Sequence, residues 1–395
     1  MFSTFHNLVE LLGSPFFNLL FVMTAVWSVG IFFERLRFPL IIGELLAGVI
    51  LGPAVLNWVL DTTVLEALAQ LGMFFLMFYA GLENNPKDFR GHARESLIIG
   101  LGGTLVPFLL GYFVSAAFGG TLYANLLIGA VLASTSLVMK TRILYDLNIL
   151  KTKLGLIMTG AGIVDTVFSF SILALIIKSV ANGGLTPLIV AITGLEVAVF
   201  FAVTIFIGVI LFPKVGPLFS SRSGKGFTFA LIMGLFFALL AEAIHLPFVL
   251  GAYLAGLFVR EEIMSKELVQ KMDDRFLAIS QGFLGPIFIM SVALKVSFDI
   301  FATHGWLVLA LFLAAFLGKL FGVFFSGLLT RLSKEESLAI GFGLNGRGGV
   351  ELVIALIGVE LGVISNLQLS ALVFVSFATT LLASFALRLM LKSPA

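Results

Sequence analysis

The sequence predicts an all-α polytopic membrane protein, and two observations carry that expectation. Of its 395 residues 59% are hydrophobic and 12% charged, where soluble domains run at roughly half and a quarter. The apolar residues also gather into thirteen runs, most of them near the roughly 20 residues an α-helix needs to cross a bilayer core about 30 Å thick. The runs cover 14–34, 38–58, 62–84, 94–118, 121–145, 151–179 and 186–213, then 226–243, 246–260, 272–297, 303–331, 335–360 and 366–390. The breaks between them carry charge, glycine or proline, except the short Ile244-His245 between the eighth and ninth.

The charges in those breaks alternate. Lys and Arg crowd into ERLR (34–37), NNPKDFRGHARE (84–95), KTRILYDLNILKTK (140–153), PKVGPLFSSRSGK (213–225), REEIMSKELVQKMDDR (260–275) and RLSKEES (331–337). The intervening loops NWVLDTTV, GGTLYAN, NGGLTP, AIHLP, SFDIFATHG and GVISN hold no Lys or Arg; Lys178 and Lys295 are the two cations near that side. Basic residues favour cytoplasmic loops. Thirteen spans with the N-terminus outside and the C-terminus inside, in a prokaryotic cell membrane, are therefore expected. One helical bundle is expected to account for residues 1–395, with no soluble regulatory domain after the last span and no signal peptide before the first.

Several function classes are disfavoured. With no cysteine there is no disulfide or thiolate–metal site, and His6, His92, His245 and His304 are too scattered for a metal cluster. No nucleophile–base motif or phosphate loop points to an enzyme, no cofactor is implied, and a net charge of +2 gives no reason to expect nucleic acid.

An ionisable group inside a span costs at least about 2.5–3.5 kcal/mol at the bilayer centre, so each one requires a reason. Asp165 lies mid-span in TGAGIVDTVFSFSI, Lys319 in AAFLGKLFGVFF, and Arg347 with Glu351 in GLNGRGGVELVIA. Glu44, Glu83, Glu196, Glu242 and Lys295 lie nearer span ends. On a helix, Ala161, Gly162 and Ser169 stack beside Asp165, small neighbours that leave room for water or a close partner helix, and Thr166 is near enough to share a polar pocket. Two spans carry breaks. One has Ser134, Thr135 and Ser136 in succession; the other has Gly341, Gly343, Asn345, Gly346, Gly348 and Gly349. Glycine costs a helix about 1 kcal/mol against alanine, so that density unwinds a turn. Interrupted helices in corresponding halves mark a transporter's binding site. Arg347, Glu351 or a bound ion would compensate the helix ends that such a crossing exposes.

Six strings in register resemble the monovalent cation:proton antiporter superfamily, in the Kef-type and NapA/GerN-type exchanger branch. FPLIIGELLAGVILGP (38–53) is similar to an early Pro–x3–Gly–Glu–x3–Gly–x3–Gly–Pro span, and LGMFFLMFYAGLENNPKDF (71–89) to a span ending in GLE. AEAIHLPFVLGAYLAGLFV (241–259) resembles a stretch written EA…L…LGAFLAGL, and GPIFIMSVALKVSF (285–298) a PIFF span. LGKLFG (317–322) and LNGRGGVELVIA (344–355) resemble the lysine helix and the RG–x2–EL crossing helix.

The resemblance implies a NapA/NhaA-like fold of thirteen helices. A dimerisation unit and a core of inverted repeats would interleave, and two unwound helices would cross beside a carboxylate. It also implies a homodimer through the N-terminal helix (14–34) and elevator-like exchange of Na⁺ or K⁺ for protons. Asp165, Thr166, Lys319, Ser134, Thr135 and Ser136 would form the ion site, with Asp165 as the cation's acid and Asn345, Arg347 and Glu351 supporting the crossing. Relatives keep an Asp-Asp, Asn-Asp or Gln-Asp pair where this chain reads Asp165-Thr166. Aligned on the flanking Gly-Ala motif, Thr166 takes the position of the ion-binding acid and Asp165 that of the lysine's partner. Shifted by one residue, the pair becomes Val164–Asp165 and Asp165 is the carrier. Two alternatives stand beside the antiporter: a Kef-like potassium efflux pathway, with a separate regulatory subunit, and a transport-inactive or other-solute member.

Overall fold

The computed structural model describes residues 14–35, 40–59, 62–83, 90–136, 144, 149, 151–208, 225–262 and 266–391. These residues are helical, with α1 Pro15–Arg35, α2 Leu40–Leu51, α3 Thr63–Leu82, α4 Ala93–Ala117, α5 Leu122–Ala133, α6 Lys153–Ala181 and α7 Pro187–Phe206. The chain continues through α8 Lys225–Ala243, α9 Phe248–Glu262, α10 Lys266–Ile279, α11 Gly285–Leu294, α12 Asp299–Leu329, α13 Lys334–Gly343, α14 Gly349–Glu360 and α15 Asn366–Leu391.

Among the described residues, nine helical stretches are long and apolar enough to cross a membrane, and Leu40–Leu51, Leu122–Ala133 and Phe248–Phe258 are shorter apolar helices. The run 335–360 is not one helix: α13 stops at Gly343 and α14 begins at Gly349. The run 121–145 is helical to Ala133 and extended at Ser134, and the basic loops around 84–89, 137–143 and 209–224 lie outside the described residues.

Short polar side chains set the helix starts. Thr62, Thr121, Thr152 and Thr186 each accept a hydrogen bond from a backbone N–H three residues on. Ser333 and Glu336 form a reciprocal capping box at α13. Between α10 and α11 the chain widens into a π-turn, Ser280–Leu284. Pro286 has no N–H to offer the carbonyl of Gly282, so the regular ladder cannot pass through it.

The helices pack as two groups. In the first, α1, α2, α3, α8, α9, α10 and α11 lie against one another; in the second, α4, α5, α6, α12, α13 and α15 do so. The chain therefore visits each group twice. Helix α14 belongs to the second group and also touches α3 and α11, while α7 bridges α6 and α9. Close approach holds the second group together: a Cβ on Gly322 of α12 would strike the backbone of Gly102 on α4. The two broken stretches, at the ends of α5 and α13, both fall in this group.

Candidate functional site

Helix α5 ends because Ser134 takes an extended conformation (φ −70°, ψ 156°) and the following Thr135 and Ser136 are non-helical. Opposite it, Leu344–Gly348 separates α13 from α14. The two unwound backbones are bonded to each other, since the Ser136 N–H donates to the Gly346 carbonyl at 2.9 Å. Gly348 makes the crossing possible: a Cβ there would lie 2.6 Å from Ser136 Oγ.

A helix that stops inside a protein leaves carbonyls without partners. Arg347 answers that need for α5. Its NH1 donates to the carbonyls of Val131 and Ser134 at 3.0 Å each, and NH2 donates to Leu132 at 2.7 Å. The cation also sits at the negative end of the α5 dipole, where positive charge is stabilised. Arg347 is itself held by α15: its backbone N–H donates to Thr380 Oγ1 at 2.8 Å, and the Thr380 hydroxyl donates back to the Arg347 carbonyl at 3.0 Å. Asn345 closes the other break, donating to the carbonyls of Gly341 (2.9 Å) and Phe316 (3.3 Å). Glu351, in the first turn of α14, brings a carboxylate to that helix's positive end; it is fully buried and has Arg347 as an electrostatic neighbour.

Asp165 on α6 and Lys319 on α12 meet beside this crossing. Lys319 Nζ lies 2.8 Å from Asp165 Oδ2 and donates also to the Ala133 carbonyl at 2.5 Å. Both side chains are 1% exposed, which separates this pair from a surface ion pair: neither charge has water to fall back on. Thr135 Oγ1 is 2.6 Å from Asp165 Oδ2, to which it donates, and 3.0 Å from the Leu344 carbonyl. One carboxylate thus joins α6, α12 and both breaks. The Thr166 hydroxyl donates to the Gly162 carbonyl of its own helix at 2.8 Å and lies 3.5 Å from Asp165 Oδ1. Ser169 ties α6 to α5 by donating to the Ala130 carbonyl at 3.0 Å.

The residues that patterning singles out divide three ways. Asp165, Thr166, Lys319 and Thr135 form one cluster, with Arg347, Asn345 and Glu351 around the crossing. Ser134 and Ser136 contribute mainly backbone: the Ser134 hydroxyl donates to Val131 of its own helix, and its carbonyl serves Arg347. The remaining acids lie elsewhere. Glu44 is buried on α2 of the first helix group, Glu83 caps the C-terminus of α3, and Glu242 is exposed near the end of α8. Glu196 pairs with Lys178 between α7 and α6, a link between helices rather than part of the cluster. Thr380 was not singled out, although the consecutive hydroxyls of SFATTLLAS, mid-span, are the same signal that marks Ser134–Ser136. No group of three or more His, Asp or Glu able to hold a metal occurs among the described residues.

Fold and site together define a multi-pass membrane protein built around a desolvated acid–ammonium pair where two helices break. The model of the family described as "Sodium/hydrogen exchanger, transmembrane" matches residues 19–393. The chain belongs to the sodium/hydrogen exchanger family. Among its relatives it is 30% identical to the Na(+)/H(+)-K(+) antiporter GerN of Bacillus cereus, over 93% of this chain and 94% of that one. It is also 30% identical to a Na(+)/H(+) antiporter of Enterococcus hirae, over 91% and 93%. In fold it is similar to the sodium proton antiporter MjNhaP1 of Methanocaldococcus jannaschii, with a TM-score of 0.70 at 15% identity, covering 97% of this chain and 98% of the other.

Proposed function

We propose that the chain is a secondary active antiporter that exchanges a monovalent cation, Na⁺ or K⁺, for protons. The observation that carries this reading is the Asp165–Lys319 pair, buried where the broken ends of α5 and α13 meet. A carboxylate there exists in three states: paired with the ammonium, protonated, or holding a cation that has displaced the ammonium. Exchange follows because one acid cannot hold proton and cation together. Thr135, Thr166 and the carbonyls of Ala133 and Leu344 are hard oxygen donors of the kind that suit an alkali cation. The names of the relatives, which are Na(+)/H(+) antiporters, support the same reading.

The finer reading is a thirteen-span, N-out, C-in transporter in a prokaryotic cell membrane, working as a homodimer. The division into two packed groups supports an elevator in which the group holding the site slides against the other. An exposed apolar face on α1, formed by Phe16, Leu20 and Trp27, supports dimerisation there. The purified protein in proteoliposomes is expected to release a cation-dependent proton flux read by a pH dye. Asp165→Asn, which keeps the shape and removes the titratable group, should abolish that flux. A variant that still exchanges would overturn the assignment.

A further inference from the structure

Helix α7 bridges the two groups, and a different contact fastens it to each of them. Three of its twenty residues, Thr193, Phe200 and Thr204, are buried, and Glu196 is its one ionisable residue. That carboxylate forms an ion pair with Lys178 in the last turn of α6, the helix that carries Asp165. An unpaired lysine near a span end stretches towards water. The Lys178 side chain is 8% exposed instead, drawn onto α7. Charges so placed attract strongly in a medium of low dielectric, and parting them would strand both in apolar surroundings. Just beyond the far end of α7, Gly208 lies against Phe258 of α9, where a Cβ would come within 2.7 Å of the phenylalanine side chain. About 18 Å of helix separates the two attachments. One is made to the group that holds the acid–lysine pair, the other to the group that does not.

We propose that Lys178 and Glu196 are a positioning pair that makes α7 travel with α6, so that α7 ties the sliding groups together and swings about its contact with α9. This rests on the antiporter reading in its sliding form and deepens it. Neither side chain belongs to the Asp165 cluster, so the pair acts on the movement of the site and not on its affinity for the cation. The Lys178–Glu196 bond stays closed through the cycle, because opening it would leave two charges without partners inside the bilayer. The Gly208–Phe258 contact is apolar and has no fixed direction, so it can take up the change of angle.

The test is proton flux driven by a NaCl or KCl gradient in proteoliposomes, set beside cation-induced thermal stabilisation of the detergent-solubilised full chain. Lys178→Met and Glu196→Gln are each expected to lower the maximal flux about ten-fold, the scale of one partly buried ion pair. The half-stabilising cation concentration should stay within about two-fold of wild type, since the site itself is untouched. Reversing the pair, Lys178→Glu with Glu196→Lys, should recover most of the flux. If the single variants do not fold, Lys178→Cys with Glu196→Cys leaves no stranded charge. Closing these thiols with a short cleavable linker is expected to raise the flux, and cleaving it to lower the flux again. Flux that survives both single substitutions overturns the proposal. So does a loss of flux matched by an equal shift of the cation midpoint, which would place the pair at the binding step. A linked protein that no longer exchanges overturns it too, since α7 would then have to part from α6. A wild type that binds cation without exchanging sinks the antiporter reading; exchange indifferent to the pair sinks this one alone.

Discussion

Arg347 reaches three carbonyls of one helix end with two nitrogens of a single planar group. An ammonium has the charge and not the fork. Lysine at 347 would keep the electrostatic match to the α5 dipole but leave carbonyls without donors inside the protein. Arg347→Lys is therefore expected to destabilise the fold by about 2–4 kcal/mol, the scale of one or two lost charge-assisted hydrogen bonds. Denaturation of the solubilised protein checks it, and a stability equal to wild type would remove the capping role. Lys319 is the reverse case. Its single nitrogen meets the Ala133 carbonyl and Asp165 Oδ2, a point-charge contact that, in the exchange proposed above, a cation would displace. The Thr166 hydroxyl donates to the Gly162 carbonyl of its own helix, so it has a partner within α6.

The element that organises the site is the pair of breaks, and Thr380 is the clamp on one of them. Both hydrogen bonds of the Arg347 backbone go to this one side chain. Thr380→Val, similar in shape, should orphan a buried N–H and carbonyl and cost about 1–3 kcal/mol. If Arg347 shifts with its backbone, exchange should fall as well. Thermal melting and flux measured on the same preparation test it, and an unaffected variant would show that the crossing needs no clamp. The breaks themselves were legible, because serine, threonine and glycine in succession compete poorly for helix wherever they occur. Helix positions were legible for the same local reason: apolar runs must pair their own backbone in lipid. The α13–α14 division within 335–360 could be placed only to within the glycine run. Thr380 was missed because its role depends on α15 lying beside residues more than 30 positions away. Glu242 lies near the end of its helix and is exposed, in keeping with its place near a span end in the sequence.

At the scale of the molecule, what matters is that two helix groups pack mainly within themselves, with α14 of one touching α3 and α11 of the other. The sliding proposed above would require this boundary to break and reform, with the Asp165 cluster, tied to α5, α12 and α13 by hydrogen bonds, moving as one body. The boundary can be locked chemically, because the chain has no cysteine of its own. Met77 of α3 faces Gly349 at the start of α14, where a Cβ would sit 3.7 Å from the methionine methyl and meet nothing else. Met77→Cys with Gly349→Cys therefore places two thiols across the division in the present arrangement of the groups. Each single variant should retain exchange, since neither side chain touches Asp165 or Lys319. Bridging the pair with a short thiol-reactive linker is expected to stop cation-driven proton flux, and reducing the linker to restore it. A bridged protein that exchanged at the wild-type rate would require the ion to cross without relative movement of α3 and α14.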